Sequence, residues 1–104
     1  MSRAPVSVVE YSAFRTKASR LIGDAERVRL IEFVAMNPHI GKEYDGTGGI
    51  RHFRWPPEGV RKVDEVEVGY YFGDTSREVL LVAICKPKER NLLSKVIRGL
   101  VGGV

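Results

Sequence analysis

Seven apolar residues in a row, VLLVAIC at positions 79–85, constrain this chain more than any other segment. A strand that is apolar at every position needs cover on both faces, so this run belongs inside a sheet rather than at its rim. Its partner precedes it. In residues 66–72, Val66, Val68, Tyr70 and Phe72 fall on one face and Glu67, Gly69 and Tyr71 on the other, the alternation of a half-buried strand. Gly73-Asp74-Thr75-Ser76 reads as the hairpin turn between the two. A third strand comes from GTGGIRHFRWPP: Gly46, Gly48 and Gly49 form the turn that launches it, and Pro56-Pro57 stop it because neither proline can donate to a ladder.

Upstream, VSVVEY at 6–11 is β-branched and aromatic and reads as a first strand. Ser12 is placed to cap a helix burying Phe14, Ala18, Leu21 and Ile22, with Gly23 as its stop. Asp24 is placed to cap a second, in which Val28, Ile31, Val34 and Ala35 recur at helical spacing until Asn37 meets Pro38. Residues 39–49 read as loop. After strand four, Leu92, Leu93, Val96, Ile97 and Leu100 form a helical stripe with Lys95 and Arg98 opposite. The order β-α-α-β-β-β-α predicts an α+β fold: one domain over residues 1–104, with a small antiparallel sheet packed on helices and its other face open and polar.

A chain of 104 residues supports one core and no second lobe, so any site must lie on one face of one sheet. Lys plus Arg number 17 against 13 acidic residues, a net +4 that favours acidic partners such as nucleic acid. The single cysteine, Cys85, has no internal disulfide partner and points to a reducing, cytoplasmic setting. No apolar run approaches the ~18 residues of a membrane span, so no membrane association is expected.

The chemistry concentrates on the strand IRHFRW. In a regular strand His52 and Arg54 project from one face and Arg51, Phe53 and Trp55 from the other, unless a bulge re-aims one of them. Phe53 and Trp55 suit a core. Arg51 and Arg54 suit a phosphate cradle, because guanidinium groups hold phosphate oxygens in bidentate geometry. Arg61, Lys62 and Arg90 add RNA-binding charge, and Lys86 and Lys88 follow the last strand. Hairpin geometry brings Arg54, Arg61 and Lys86 toward one edge. Cations around one phosphodiester permit metal-free RNA cleavage: a base takes the 2′-hydroxyl proton, the oxygen attacks phosphorus, cations stabilise the pentavalent centre and an acid protonates the leaving oxygen. Histidine titrates near neutrality, so His52 suits either proton-transfer role. Metal chemistry is not expected. Asp64, Glu65 and Glu67 lack two-metal spacing, His39 and His52 have no zinc partners, and the glycines do not form a phosphate loop. No cofactor is implied.

The helix ending LIEFVAMNPHIG, the strand GTGGIRHFRW, the hairpin strand VEVGYYFGD and the segment VLLVAICKPKERNLLSKV together resemble toxins of the RelE/ParE superfamily, closest to the RelE-like HigB branch of type II toxin-antitoxin systems. The resemblance implies a cytoplasmic ribosome-dependent mRNA endoribonuclease that inhibits translation. Its partners would be mRNA on the ribosome and a cognate antitoxin of helix-turn-helix type. It places Arg51, His52, Arg54, Lys86 and Lys88 among the catalytic residues. The alternative of the same fold is a ParE-like toxin acting on DNA gyrase, or a binding module acting only through its antitoxin. Relatives usually carry arginine in strand three where this chain has Glu67, which is then either a general base or a partner for Arg54. They can carry tyrosine in the last helix where this chain has Leu92 and Leu93.

Overall fold

The computed structural model describes residues 4–56 and 65–89, together with Asn91, Lys95 and Gly99. The elements are β1 (Ser7–Glu10), α1 (Ser12–Met36), β2 (Lys42–Glu43), β3 (Ile50–Trp55), β4 (Val66–Tyr71), β5 (Glu78–Cys85) and a 3-10 turn (Pro87–Glu89). The strands form one sheet in the order β1-β5-β4-β3-β2, giving the expected α+β class. The sheet is mixed, however, rather than antiparallel throughout: β2 to β5 are antiparallel neighbours and β1 runs parallel to β5. The helix carries the chain from β1 to the far rim, and three reversals later β5 arrives beside β1 running the same way.

The two expected helices meet inside α1. Gly23 takes φ 81 and ψ 161, a backbone conformation closed to residues with a Cβ, and the helix bends there. The caps differ from expectation. Tyr11 occupies the N-cap with no side-chain cap bond, and the Asp24 carboxylate accepts from the Ser19 hydroxyl and the Arg27 guanidinium side chain. Arg27 also grips both Glu10 oxygens at 2.7 and 2.8 Å, tying α1 to β1. Beyond the bend the helical phase is reset. Leu30 and Val34 are buried, whereas Val28, expected on the apolar face, is 44% exposed. Asn37 ends the helix by bonding back to Val34 and Phe33.

The main core lies between α1 and one face of the sheet. Phe14, Ala18, Leu30 and Val34 meet Phe53 and Trp55 of β3, Val66, Val68 and Tyr70 of β4, and Val79, Leu81 and Ile84 of β5. Phe33 packs on both Phe53 and Trp55, at centroid distances of 6.0 and 5.3 Å. A register shift at Gly69/Tyr70 pairs Gly69 with Ala83 but Tyr70 with Leu81, so Val82 is passed over and the facing parity of β5 switches. That switch is why VLLVAIC needs apolar residues at both parities. The second face is not wholly polar as expected: Ile50 and Cys85 are buried there with Tyr44, Tyr71 and Ala83 against them. Asn91, Lys95 and Gly99 are helical and exposed, which puts Lys95 on the expected solvent side. The apolar stripe of the last helix lies outside the described residues. Among the described residues no helix is long and apolar enough to cross a membrane.

Candidate functional site

Within the loop expected over residues 39–49 the chain forms β2, which builds one wall of the site. A Cβ on Gly41 would sit 2.7 Å from the His52 carbonyl oxygen, so only glycine lets this segment approach β3 closely enough to pair. The preceding turn is pinned from beneath. The buried Tyr70 hydroxyl donates to the Pro38 carbonyl at 2.7 Å and accepts from the Gly41 N–H at 3.0 Å. Burial pushes the Tyr70 phenol above its ordinary pKa, which keeps this donor protonated. Arg51 donates to the Gly41 carbonyl at 2.8 Å and the Phe72 carbonyl at 3.3 Å. Arg51, expected in the phosphate cradle, therefore shares the helix-packed face with its register partner Tyr70 and braces the loop instead.

Directly opposed residues in an antiparallel pair share a face. The register sets Lys42 beside His52, and Arg54 beside Glu67, on the side away from α1. These four, with Ile40 and Glu65, line a groove of about 590 Å³. Glu67 is only 7% exposed and is the buried charged residue among the described residues. Its Oε1 lies 3.4 Å from Arg54 Nε and its Oε2 lies 4.0 Å from His52 Nδ1. Arg54 Nη1 is 3.8 Å from Glu65 Oε2. A buried carboxylate without such partners would carry a large desolvation cost, so the pairing explains how Glu67 resides here. On the other side Tyr44 stacks on His52 with centroids 4.5 Å apart and planes at 30°. The imidazole is thus stacked on an aromatic face, with the Glu67 carboxylate near its Nδ1 but beyond hydrogen-bond distance.

With His52 neutral, Lys42 and Arg54 balance Glu65 and Glu67, so this groove is not a purely cationic cradle. Arg54 nonetheless keeps donors to offer. Its side chain is 48% exposed and only Nε and Nη1 face carboxylates. Lys86 follows Cys85, which pairs across from Glu67, so its backbone reaches the Arg54 end of the sheet two strands away, about 10 Å by strand spacing. Lys86 and Lys88 are exposed. Arg61, Lys62 and Arg90 lie outside the described residues. Burial pushes the Cys85 thiol up, away from thiolate chemistry. Among the described residues, no three His, Cys, Asp or Glu side chains cluster as a metal site.

Sequence reasoning missed Lys42, Ile40 and Tyr44, and considered Glu65 only as a metal ligand. No local pattern marks the first three, because they enter the site through the register of a two-residue strand.

No family model matches the chain, and no curated protein matches it. Among solved structures it is similar to a mutant of the E. coli toxin RelE in the free state, with a TM-score of 0.62 and 14% identity over 91% of this chain and 97% of that one. The chain has the RelE-like fold.

Proposed function

We propose that this protein is the toxin of a type II toxin-antitoxin system and cleaves mRNA on the ribosome without a metal. The observation that carries this reading is the convergence of His52, Arg54 and Glu67 in one groove of a RelE-like sheet. Glu67 faces Nδ1 of His52 and, with Tyr44 stacked on the ring, orients the imidazole so that Nε2 is left for the substrate. His52 Nε2 takes the 2′-hydroxyl proton, the 2′-oxygen attacks phosphorus, and the P–O5′ bond breaks to leave a 2′,3′-cyclic phosphate and a 5′-hydroxyl. Glu67 stabilises the imidazolium that forms, as a carboxylate behind a catalytic histidine does. Arg54 and Lys42 stabilise charge on the pentavalent phosphorus, and an ammonium of Lys86 or Lys88 protonates the departing 5′-oxygen. Arg61, Lys62 and Arg90 hold flanking RNA backbone. Glu67 on this reading is a positioning residue, which reconciles an anion with a phosphate site.

The partners on this reading are the ribosome with its mRNA, and an antitoxin of the HigB-associated helix-turn-helix type. Expression of the chain followed by transcript-end mapping tests it: new 5′-hydroxyl ends inside translated codons are expected. Growth arrest with DNA damage and no new ends supports a gyrase-directed toxin instead. Growth arrest that survives joint substitution of Arg54 and Lys86 to alanine overturns the assigned site.

A further inference from the structure

We infer that Tyr70 is a positioning residue of the groove: acting through Gly41, its buried hydroxyl sets the backbone that carries Lys42, so that the Lys42 ammonium meets a bound phosphate. The inference rests on the reading of the groove as an RNA-cleaving site and adds to it what places one of its cations.

The two cations of the groove are held in different ways. Arg54 has carboxylates beside it, with Nε 3.4 Å from Glu67 and Nη1 3.8 Å from Glu65. Lys42 has no ion-pair partner among the described residues, so its ammonium goes where its backbone takes it. That backbone belongs to β2, a strand of two residues at the rim of the sheet. Strands usually run to about five or six residues, and one this short gives few ladder bonds to fix its own place.

The residue before Lys42 supplies the missing constraint. The Gly41 N–H donates to the Tyr70 hydroxyl at 3.0 Å, and the Gly41 carbonyl accepts from Arg51 Nη1 at 2.8 Å. Both backbone polar groups of Gly41 are thus satisfied by side chains that reach it from β4 and β3. The same Tyr70 hydroxyl donates to the Pro38 carbonyl at 2.7 Å, so one oxygen joins both ends of residues 38–41. Tyr70 is fully buried, and a Cβ on Gly41 would sit 3.0 Å from its ring, so the ring abuts the turn. Beyond β2 the Tyr44 N–H donates to the Ile50 carbonyl at 2.9 Å. Lys42 therefore stands between two anchors, and Tyr70 is the deeper one. A cation stabilises a transition state in proportion to how well it is held where charge develops, and a misplacement of about 1 Å can cost ~10²-fold.

The test is a double-mutant cycle on RNA cleavage by the full chain. Tyr70→Phe and Lys42→Ala are each expected to lower kcat about tenfold with KM less changed, within the ~10²-fold range of a misplaced contact. The double variant is expected to lose about tenfold rather than about a hundredfold, because the hydroxyl has nothing left to position once the ammonium is gone. Arg51→Ala, which releases the carbonyl of Gly41, should couple to Lys42→Ala in the same way and decides the matter where Tyr70→Phe does not fold. Additive losses, or Lys42→Ala with wild-type kcat, overturn the inference and leave the nuclease reading standing. Where the wild-type chain cuts nothing, the nuclease reading falls and the same cycle is read as affinity for an RNA oligonucleotide with 2′-deoxy residues, by fluorescence anisotropy. Coupled losses of affinity then keep the positioning role, and additive or absent losses overturn it.

Discussion

Arg51 and Arg54 stand on one strand and carry the same guanidinium, yet they belong to different regions of the molecule. Arg51 lies on the helix-packed face and donates to the carbonyls of Gly41 and Phe72, joining β3 to the loop before β2 and to the end of β4. Arg54 lies on the groove face between Glu65 and Glu67. The two-residue repeat of a strand is sufficient to separate them. The helix-packed side uses polar groups to fix backbone, with Tyr70 and Arg51 converging on residues 38–41. The groove side uses polar groups whose bonds are longer and whose donors remain partly available. Rigidity on one face thus holds the geometry of the other, because the pinned turn sets Ile40 and Lys42 on the groove rim.

This contrast is sharpest at His52. On the proposed nuclease reading, His52→Ala should lower cleavage by ~10²-fold or more, as for loss of a proton-transfer group, with the melting temperature almost unchanged. A large loss of stability with only a small loss of cleavage would reverse the division between the faces. The opposite pattern is expected across the sheet. Tyr70→Phe leaves the Pro38 carbonyl and the Gly41 N–H without their buried partner and should lower stability by about 1–3 kcal/mol in denaturant unfolding. Arg51→Ala should cost about 1–2 kcal/mol by the same logic, somewhat less because Arg51 is only half-buried. Both variants should reduce cleavage only as far as they displace the β2 rim, so a cleavage loss equal to that of His52→Ala would place Arg51 back in the chemistry.

The smallest effect belongs to Asp24, at the bend of α1. The Ser19 hydroxyl and then the Arg27 guanidinium hold its carboxyl below the ordinary pKa. A lowered folded-state pKa contributes stability that is present above the unfolded value and is lost as pH falls through the folded one. Asp24→Asn should therefore destabilise slightly at neutral pH, and the gap from wild type should close in acid, below the ordinary aspartate range. Thermal melts at neutral and acid pH check this; a gap that widens in acid contradicts the assignment.

Much of the fold was legible because it depends on short-range pattern. The alternation of β4, the glycine turn before β3, the prolines after it and the apolar run of β5 each declare themselves within a few residues. Phe53 and Trp55 are readable as core from their aromatic character and shared parity, and both are buried. The errors fall where a long-range contact overrides local pattern. Val28 fits a helical stripe, but the bend at Gly23 turns it outward. Arg51 and Arg54 look alike in sequence, and nothing local shows that a carbonyl of Gly41 waits beside one and a carboxylate beside the other.

The sequence by itself determined β1, β3, β4 and β5 as strands, the two halves of α1 as helix, the parity of β3 and the presence of one histidine between two arginines, because these follow from side-chain type and short repeats. Only the tertiary structure decided which charges meet. The register Arg54 to Glu67 and Lys42 to His52, the parallel placement of β1 and the parity switch at Val82 arise from pairing between distant segments. Charge pairing falls off within a few ångströms, so an anion that reads as a misfit in the chain becomes, one strand away from its neighbours, the partner of Arg54.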